Sequence, residues 1–204
     1  FNKYFEYSDD FSKKILKIRD KINNTKDLNL YSKELNNIEK EITLFHAKVT
    51  NEAIKEVNSN IDIIGFHGQT IFHSAKEMVS KQLGDGKLLS QETKKKVVYD
   101  FRQNDLKNGG EGAPLAPIFH KLISEKIKVE PPLCVINLGG IANITSIESG
   151  EISDLGSQDI GPGNCLIDEW IKKNTNKKYD KDGLIAKSGK KDILILNQAL
   201  DNHD

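Results

Sequence analysis

An α/β fold in two parts is what this sequence predicts, on three observations. Apolar runs of strand length, such as Ile61-Asp62-Ile63-Ile64-Gly65-Phe66 and Leu133-Cys134-Val135-Ile136-Asn137-Leu138, each end at a glycine-containing polar loop. Between them lie stretches whose apolar residues recur every three or four positions, the period of an amphipathic helix. Glu130-Pro131-Pro132 interrupts both patterns, because paired prolines suit neither helix nor sheet, and places the boundary between a first part, 1–130, and a second, 133–204.

Totals narrow the class. With 204 residues and 37% hydrophobic content the chain can bury a sizeable core. Thirty Lys and Arg balance thirty Asp and Glu, which argues against a nucleic-acid partner. The short lysine runs 94–96, 172–173 and 177–178 are flanked by acidic or polar residues and read as solvated surface. Cys134 and Cys165 form no CxxC pair, so neither zinc nor a disulfide framework is expected and a reducing cytoplasm is the default. No apolar run approaches the roughly 18 residues of a membrane span, and no secretory signal precedes the first helix. Phe1 at the start and Asn202-His203-Asp204 at the end, read as mid-element, lead us to expect a piece of a longer protein.

Ser8-Asp9-Asp10 offers an N-cap for a helix on which Phe11, Ile15, Ile18 and Ile22 share a face, and Asn23-Asn24-Thr25 is expected to end it. A longer helix follows with Leu35, Ile38, Ile42, Phe45, Val49, Ala53 and Val57 inward, and with His46 beside that face as a packing residue. Ser59-Asn60 turns the chain into the strand 61–66, whose near-continuous apolar character is that of a buried parallel strand. His73, farther on, reads as structural. Lys81 to Gly86 reads as a turn, 88–96 as a helix capped by Ser90 or preceded by Leu88-Leu89, and Val97-Val98-Tyr99 as a short strand opening onto a loop from Asp100 to Asp105. Leu115 to Ile127 is helical, with Pro117 in its first turn. Past the boundary, 133–138 and 141–145 form a hairpin about Gly139-Gly140. Asp159-Ile160-Gly161-Pro162-Gly163-Asn164 ends a strand, and Asn164 starts the helix from Cys165.

Chemistry gathers at the strand ends. Gly139 and Gly140 leave backbone N–H groups open to a close anion, and Asn137, Asn143 and Thr145 add neutral hydrogen bonds, so a phosphate can sit there. Asp159 holds a carboxylate just before a stiff turn, the kind of group phosphoryl transfer needs to orient or deprotonate a nucleophile. Both turns can equally be plain turns. In an α/β sheet the residues just past a strand line the ligand crevice, which makes His67, Gln69 and Thr70 candidates, though His67 can as well be structural. Asp100, Arg102 and Asp105 with the loop Gly109-Gly110-Glu111-Gly112-Ala113-Pro114 form a second cluster. Arg102 can fork two hydrogen bonds to a ligand, and the aspartates can accept from hydroxyls; alternatively an Arg–Asp pair ties down the loop.

Read together, Gly65-Phe66-His67-Gly68-Gln69-Thr70, Asp100-Phe101-Arg102-Gln103-Asn104-Asp105 with Gly109 to Leu115, Asn137 to Asn143, and Asp159 to Asn164 with Asp168 and Trp170 resemble the anhydro-N-acetylmuramic acid kinase family. Asp180-x-Asp182-Gly183 and Ser188-Gly189 extend the resemblance, which covers roughly residues 61 to 190. It implies the actin-like (ribonuclease H-like) ATPase fold of the sugar kinase, Hsc70 and actin superfamily, in part: two α/β lobes around a cleft, with 1–130 in lobe I and 133–204 the start of lobe II. It implies a cytoplasmic ATP-dependent kinase that opens 1,6-anhydro-N-acetylmuramic acid with water and phosphorylates its 6-oxygen, giving N-acetylmuramic acid 6-phosphate in peptidoglycan recycling.

By the same match Asp159 is the general base. Asn137, Gly139, Gly140 and Asn143 correspond to the second phosphate loop, and His67, Gln69, Thr70, Arg102, Asp105, Gly110, Gly112 and Asn164 to the sugar pocket. A carboxylate is a weak base in water, so burial or displacement of solvent by substrate must help Asp159. ATP and Mg²⁺ are the implied cofactors, the metal held largely by phosphates and waters with no protein ligands assigned. The partners are the amino sugar and ATP, with no membrane and no nucleic acid, and a homodimer stays open. The family's first phosphate turn, Gly-Thr-Ser-x-Asp-Gly, and its later adenosine motif are missing from these residues, and Glu111 stands in place of Gln. This chain alone is therefore expected to be inactive. The alternatives are a kinase of the same fold for another sugar and a non-catalytic sugar-binding module.

Overall fold

The structure is a computed structural model that describes residues 1–57 and 59–202. It divides into two compact units, Phe1–Leu115 and Ala116–Asp204. The division falls before the paired prolines, and the helix expected in the first part goes with the second unit.

The first unit begins with α1 (Asp9–Arg19), capped by the Ser8 hydroxyl, which accepts from the Phe11 N–H at 3.3 Å. Asn23-Asn24-Thr25 does more than end that helix. Asn24 opens a further short helix, α2 (Thr25–Leu30), because its side chain accepts from the N–H groups of Lys26 and Asp27 while Asp27 accepts from its backbone, a capping box. The long helix α3 (Ser32–Val57) buries Leu35, Ile38, Ile42, Thr43 and Ala47, close to the expected face. Ile15, Ile18 and Ile22 pack on Leu35, Ile38 and Ile42 to make the main core, closed by Ile71 and Leu83.

Strands β1 (Ile63–Phe66) and β4 (Lys96–Tyr99) pair in parallel, with Ile64 opposite Val97. Both strands and the parallel character of the first are as expected, but the burial is not: Ile63 is 57% exposed, since only the Ile64, Phe66 and Val97 side of this two-stranded sheet is covered, by Ala47 and Leu89. Strand β2 (Gln69–Ser74) pairs antiparallel with β3 (Val79–Leu83), with a bulge between Thr70 and Phe72. Lys81-Gln82-Leu83 is thus strand, not turn, because Leu83 is fully buried in the core and only Gly84-Asp85 bends the chain. Helix α4 (Gly86–Thr93) is capped by the Asp85 carboxylate, which accepts from Lys87 and Leu88 N–H, and not by Ser90, whose hydroxyl donates instead to the Lys95 carbonyl. The expected loop from Asp100 is the helix α5 (Phe101–Lys107), entered through a left-handed Asp100 at φ 59°.

The second unit starts with α6 (Ala116–Ile127), whose His120 is joined to Thr145 by a 2.9 Å hydrogen bond. The predicted hairpin forms: β5 (Leu133–Leu138) and β6 (Ile141–Ile147) pair antiparallel, and β7 (Leu155–Pro162) adds on the other side of β6. Alternation sends Thr145 and Ile147 inward, 1% exposed each, while Ile136 and Leu138 remain open at 57% and 67%. Helices α7 (Cys165–Asn174), α8 (Leu184–Ser188) and α9 (Ile193–Asp201) follow. The Asp180 carboxylate accepts from Ile185 and Ala186 N–H, which holds it below the usual carboxylate range and gives this motif residue a capping role at α8. His203 and Asp204, two of the three residues behind the expected mid-element ending, lie outside the described residues. Among the described residues no helix is long and apolar enough to cross a membrane.

Candidate functional site

In the second unit the hairpin register builds the site. Asn137 pairs with Asn143, and Asn143 with Asp159, so one amide, a second amide and a carboxylate form a row across all three strands. Cross-strand partners project from the same face of a sheet. Directly after Asp159 the register shifts, Ala142 facing Gly161, and Ile160 becomes an extra residue in a β-bulge. The Asp159 carboxylate is exposed and enters no ion pair or hydrogen bond among the described residues.

The two glycine turns meet. Gly140 O accepts from Gly163 N–H at 3.0 Å and from Cys165 N–H at 3.2 Å, and Gly139 O accepts from Asn164 N–H at 2.7 Å. The Asn164 side-chain NH₂ donates to the Leu138 carbonyl at 3.1 Å, so Asn164 makes no side-chain cap on α7. Gly163 is required by this approach: a Cβ there would stand 2.1 Å from Gly139 O. Gly139 and Gly140 are not so constrained. Neither takes a positive φ, and a Cβ on Gly140 would meet nothing within 4 Å.

In the first unit, the Arg102 Nε–H donates to His67 Nε2 at 3.2 Å. Arg can only donate, so Nε2 is the acceptor and the ring proton sits on Nδ1, which donates to the Gly68 carbonyl at 2.9 Å. Thr70 accepts from the Gln82 amide at 3.3 Å, and Gln69 is exposed at the start of β2. Asp105 pairs with the loop and not with Arg102. Its carboxylate accepts from Gly112 N–H at 2.7 Å and its carbonyl from Gly110 N–H at 2.9 Å, and a Cβ on Gly110 would lie 2.2 Å from that carboxylate. The loop is tied down by the Gly110 and Gly112 N–H groups on Asp105, and the Arg–Asp pair weighed for that role does not form.

Beside His67 is a cavity of about 270 Å³. Glu39, Lys81, Gln82 and Gln103 line it, and the sequence singled out none of them as a site residue. Glu39 accepts from Lys81 at 2.9 Å and from Gly84 N–H at 3.1 Å, and the Gln82 Oε1 is buried without a partner. The signal for Glu39 was there: it is the acid in the inward stripe of Leu35, Ile38 and Ile42. His46, placed as packing, shares a 2.8 Å hydrogen bond with the Tyr7 hydroxyl and lies 5.1 Å, ring to ring, from Phe66; burial pulls its pKa down. Among the described residues no three His, Cys, Asp or Glu side chains gather as a metal cage.

These features define a mixed α/β protein that carries an amide and carboxylate row beside paired glycine turns. The sequence profile of the anhydro-N-acetylmuramic acid kinases matches residues 2–203. Relatives so named include one from Pelagibacter ubique (strain HTCC1062), 56% identical over 204 residues, covering 100% of this chain and 54% of the relative. The Agrobacterium fabrum relative is 44% identical over 153 residues, 72% of this chain and 40% of its own length. That of Zymomonas mobilis is 49% identical over 152 residues, with 72% and 40% covered. The chain belongs to the anhydro-N-acetylmuramic acid kinase family, and it spans about half the length of the curated relatives it matches.

Proposed function

We propose that the full-length protein is a cytoplasmic kinase of the actin-like ATPase fold that uses ATP and water to convert 1,6-anhydro-N-acetylmuramic acid into N-acetylmuramic acid 6-phosphate. The observation that carries the reading is Asp159, in register with Asn143 and next to a glycine turn with open space at Gly140. Neither backbone conformation nor packing demands glycine at 140, whereas a phosphate approaching the main chain would. In this reading Asn137, Gly139, Gly140 and Asn143 receive the nucleotide phosphates. The Asp159 carboxylate takes a proton from the water whose oxygen attacks the anomeric carbon. The bond from that carbon to the bridging 6-oxygen breaks, and the 6-oxygen attacks the γ-phosphorus as ADP leaves. Displacement of solvent by the bound sugar makes the exposed carboxylate a competent base.

For the sugar, the reading draws on residues of the first unit, taken by themselves. Arg102 and His67 act as one hydrogen-bonded pair, Gln69 and Thr70 extend it, and Asp105 serves by fixing Gly110 and Gly112 in place. Mg²⁺ would be held by the nucleotide phosphates and water, with no residue of this chain assigned to it, and would supply shielding of their charge. The test is incubation of the full-length protein with ATP and the anhydro sugar, following the phosphorus NMR signal of a 6-phosphate and loss of the anhydro bridge. Phosphorylation of an ordinary hexose in preference would assign the protein to another sugar, and sugar binding without transfer would make it a binding module.

A further inference from the structure

We infer that Asn164 is a positioning residue that aims the backbone amides of the Gly139-Gly140 turn, instead of touching the sugar; this rests on the nucleotide-phosphate reading of that turn. Three successive carbonyls, of Leu138, Gly139 and Gly140, are taken up by one short segment, Gly163 to Cys165. The peptide bonds here are trans, and in a trans peptide the C=O and the N–H that follows it point in opposite directions. Holding these carbonyls toward the start of α7 therefore turns the N–H groups of Gly140 and Ile141 away from it, as adjacent donors beside the open space at Gly140. A run of main-chain N–H groups facing one side makes an anion cradle.

Three of the four bonds come from the backbone of Gly163, Asn164 and Cys165 and persist in any variant at 164. The fourth comes from the Asn164 side chain, and only its NH₂ end can address a carbonyl. Asn164→Asp keeps the size and sets an oxygen against the Leu138 carbonyl. Asn164→Ala removes the donor without repulsion. Both variants are expected to fold, with Asp the more damaging to the turn.

The experiment measures KM for ATP and for the anhydro sugar, together with amide hydrogen exchange, in full-length wild type and both variants. The expected result is a KM for ATP raised about three- to tenfold in Asn164→Ala and further in Asn164→Asp, with the KM for sugar unchanged. Amides of residues 163–165 should exchange faster in the same order. A raised KM for sugar with that for ATP unmoved would overturn the inference and make Asn164 a sugar contact, and no change in either would also overturn it. Binding of pyrophosphate alone, by calorimetry, separates the two levels. Wild type that fails to bind it removes the phosphate reading and this inference with it; wild type that binds it no better than Asn164→Asp removes only the inference.

Discussion

Residues 1–115 hold their candidate loops on a packed core, whereas residues 116–204 hold theirs by hydrogen bonds between turns. In the first unit the strand that leads to His67 is backed by buried Ala47 and Leu89, and the strand pair that follows sets Ile71 and Leu83 into the core of Ile38 and Ile42. In the second, the strand leading to Gly139 has Ile136 and Leu138 in the open, and the turn is fastened through Gly163, Asn164 and Cys165. Packing spreads a perturbation over many weak contacts, while a few directed bonds fail one at a time. A change at the second unit's site should thus act on chemistry and ligand geometry, and a change of the same size in the first on stability.

The largest expected effect is chemical. Asp159→Asn in the full-length protein should leave ATP and sugar affinity near wild type while turnover falls about a thousandfold or more, because a base acts in the transition state. Near-normal steady-state turnover would take Asp159 out of its role. Ile38→Ala should cost about 2–5 kcal/mol of stability in denaturant melts, and Leu138→Ala should stay within about 0.5 kcal/mol. Equal losses at the two positions would break the contrast between the units.

Within the second unit, Gly163→Ala should cost about 1–3 kcal/mol, since the new methyl meets the Gly139 carbonyl. Gly140→Ala should leave the melting temperature unmoved and weaken nucleotide affinity by about tenfold, measured by calorimetry. The smallest effect is a pH slope in the first unit. Burial lowers the His46 pKa below its ordinary 6.5, so the unfolded chain takes up the proton first. Stability is full above about pH 6.5 and declines as pH falls toward the folded-state value. His46→Gln should flatten that part of the melting-temperature profile, and an unchanged slope would assign it to other groups.

Much of this was legible in the sequence. The hairpin about Gly139-Gly140, the helix on Leu35 and Ile38, and the two strands that pair in parallel in the first unit, though not their pairing, follow from apolar period and turn chemistry. Local signals misled where a tertiary partner decided: Lys81-Gln82-Leu83 lies near glycines and reads as a turn until Leu83 finds the core, and Ser90 resembles a cap until Asp85 is seen to fill that place. The partners of Asp105 and Asn164 were out of reach for a different reason. Residue type shows that a side chain can donate or accept, and only the folded chain shows which backbone group stands opposite. Glu39 was missed for its setting, a carboxylate in a stripe otherwise read for its hydrophobicity.

The extra residue at Ile160 has one more consequence. Side chains on a strand alternate with strict phase, and a bulge takes up its extra residue locally. Without Ile160, Asp159 and Gly161 would become consecutive partners of Asn143 and Ala142, so the glycines beyond the acid would keep their partners and their sides, and what would be lost is the bend and added twist of the bulge. The extra residue therefore acts through the local bend it puts between the acid and the following turn, not through the phase of the residues beyond it.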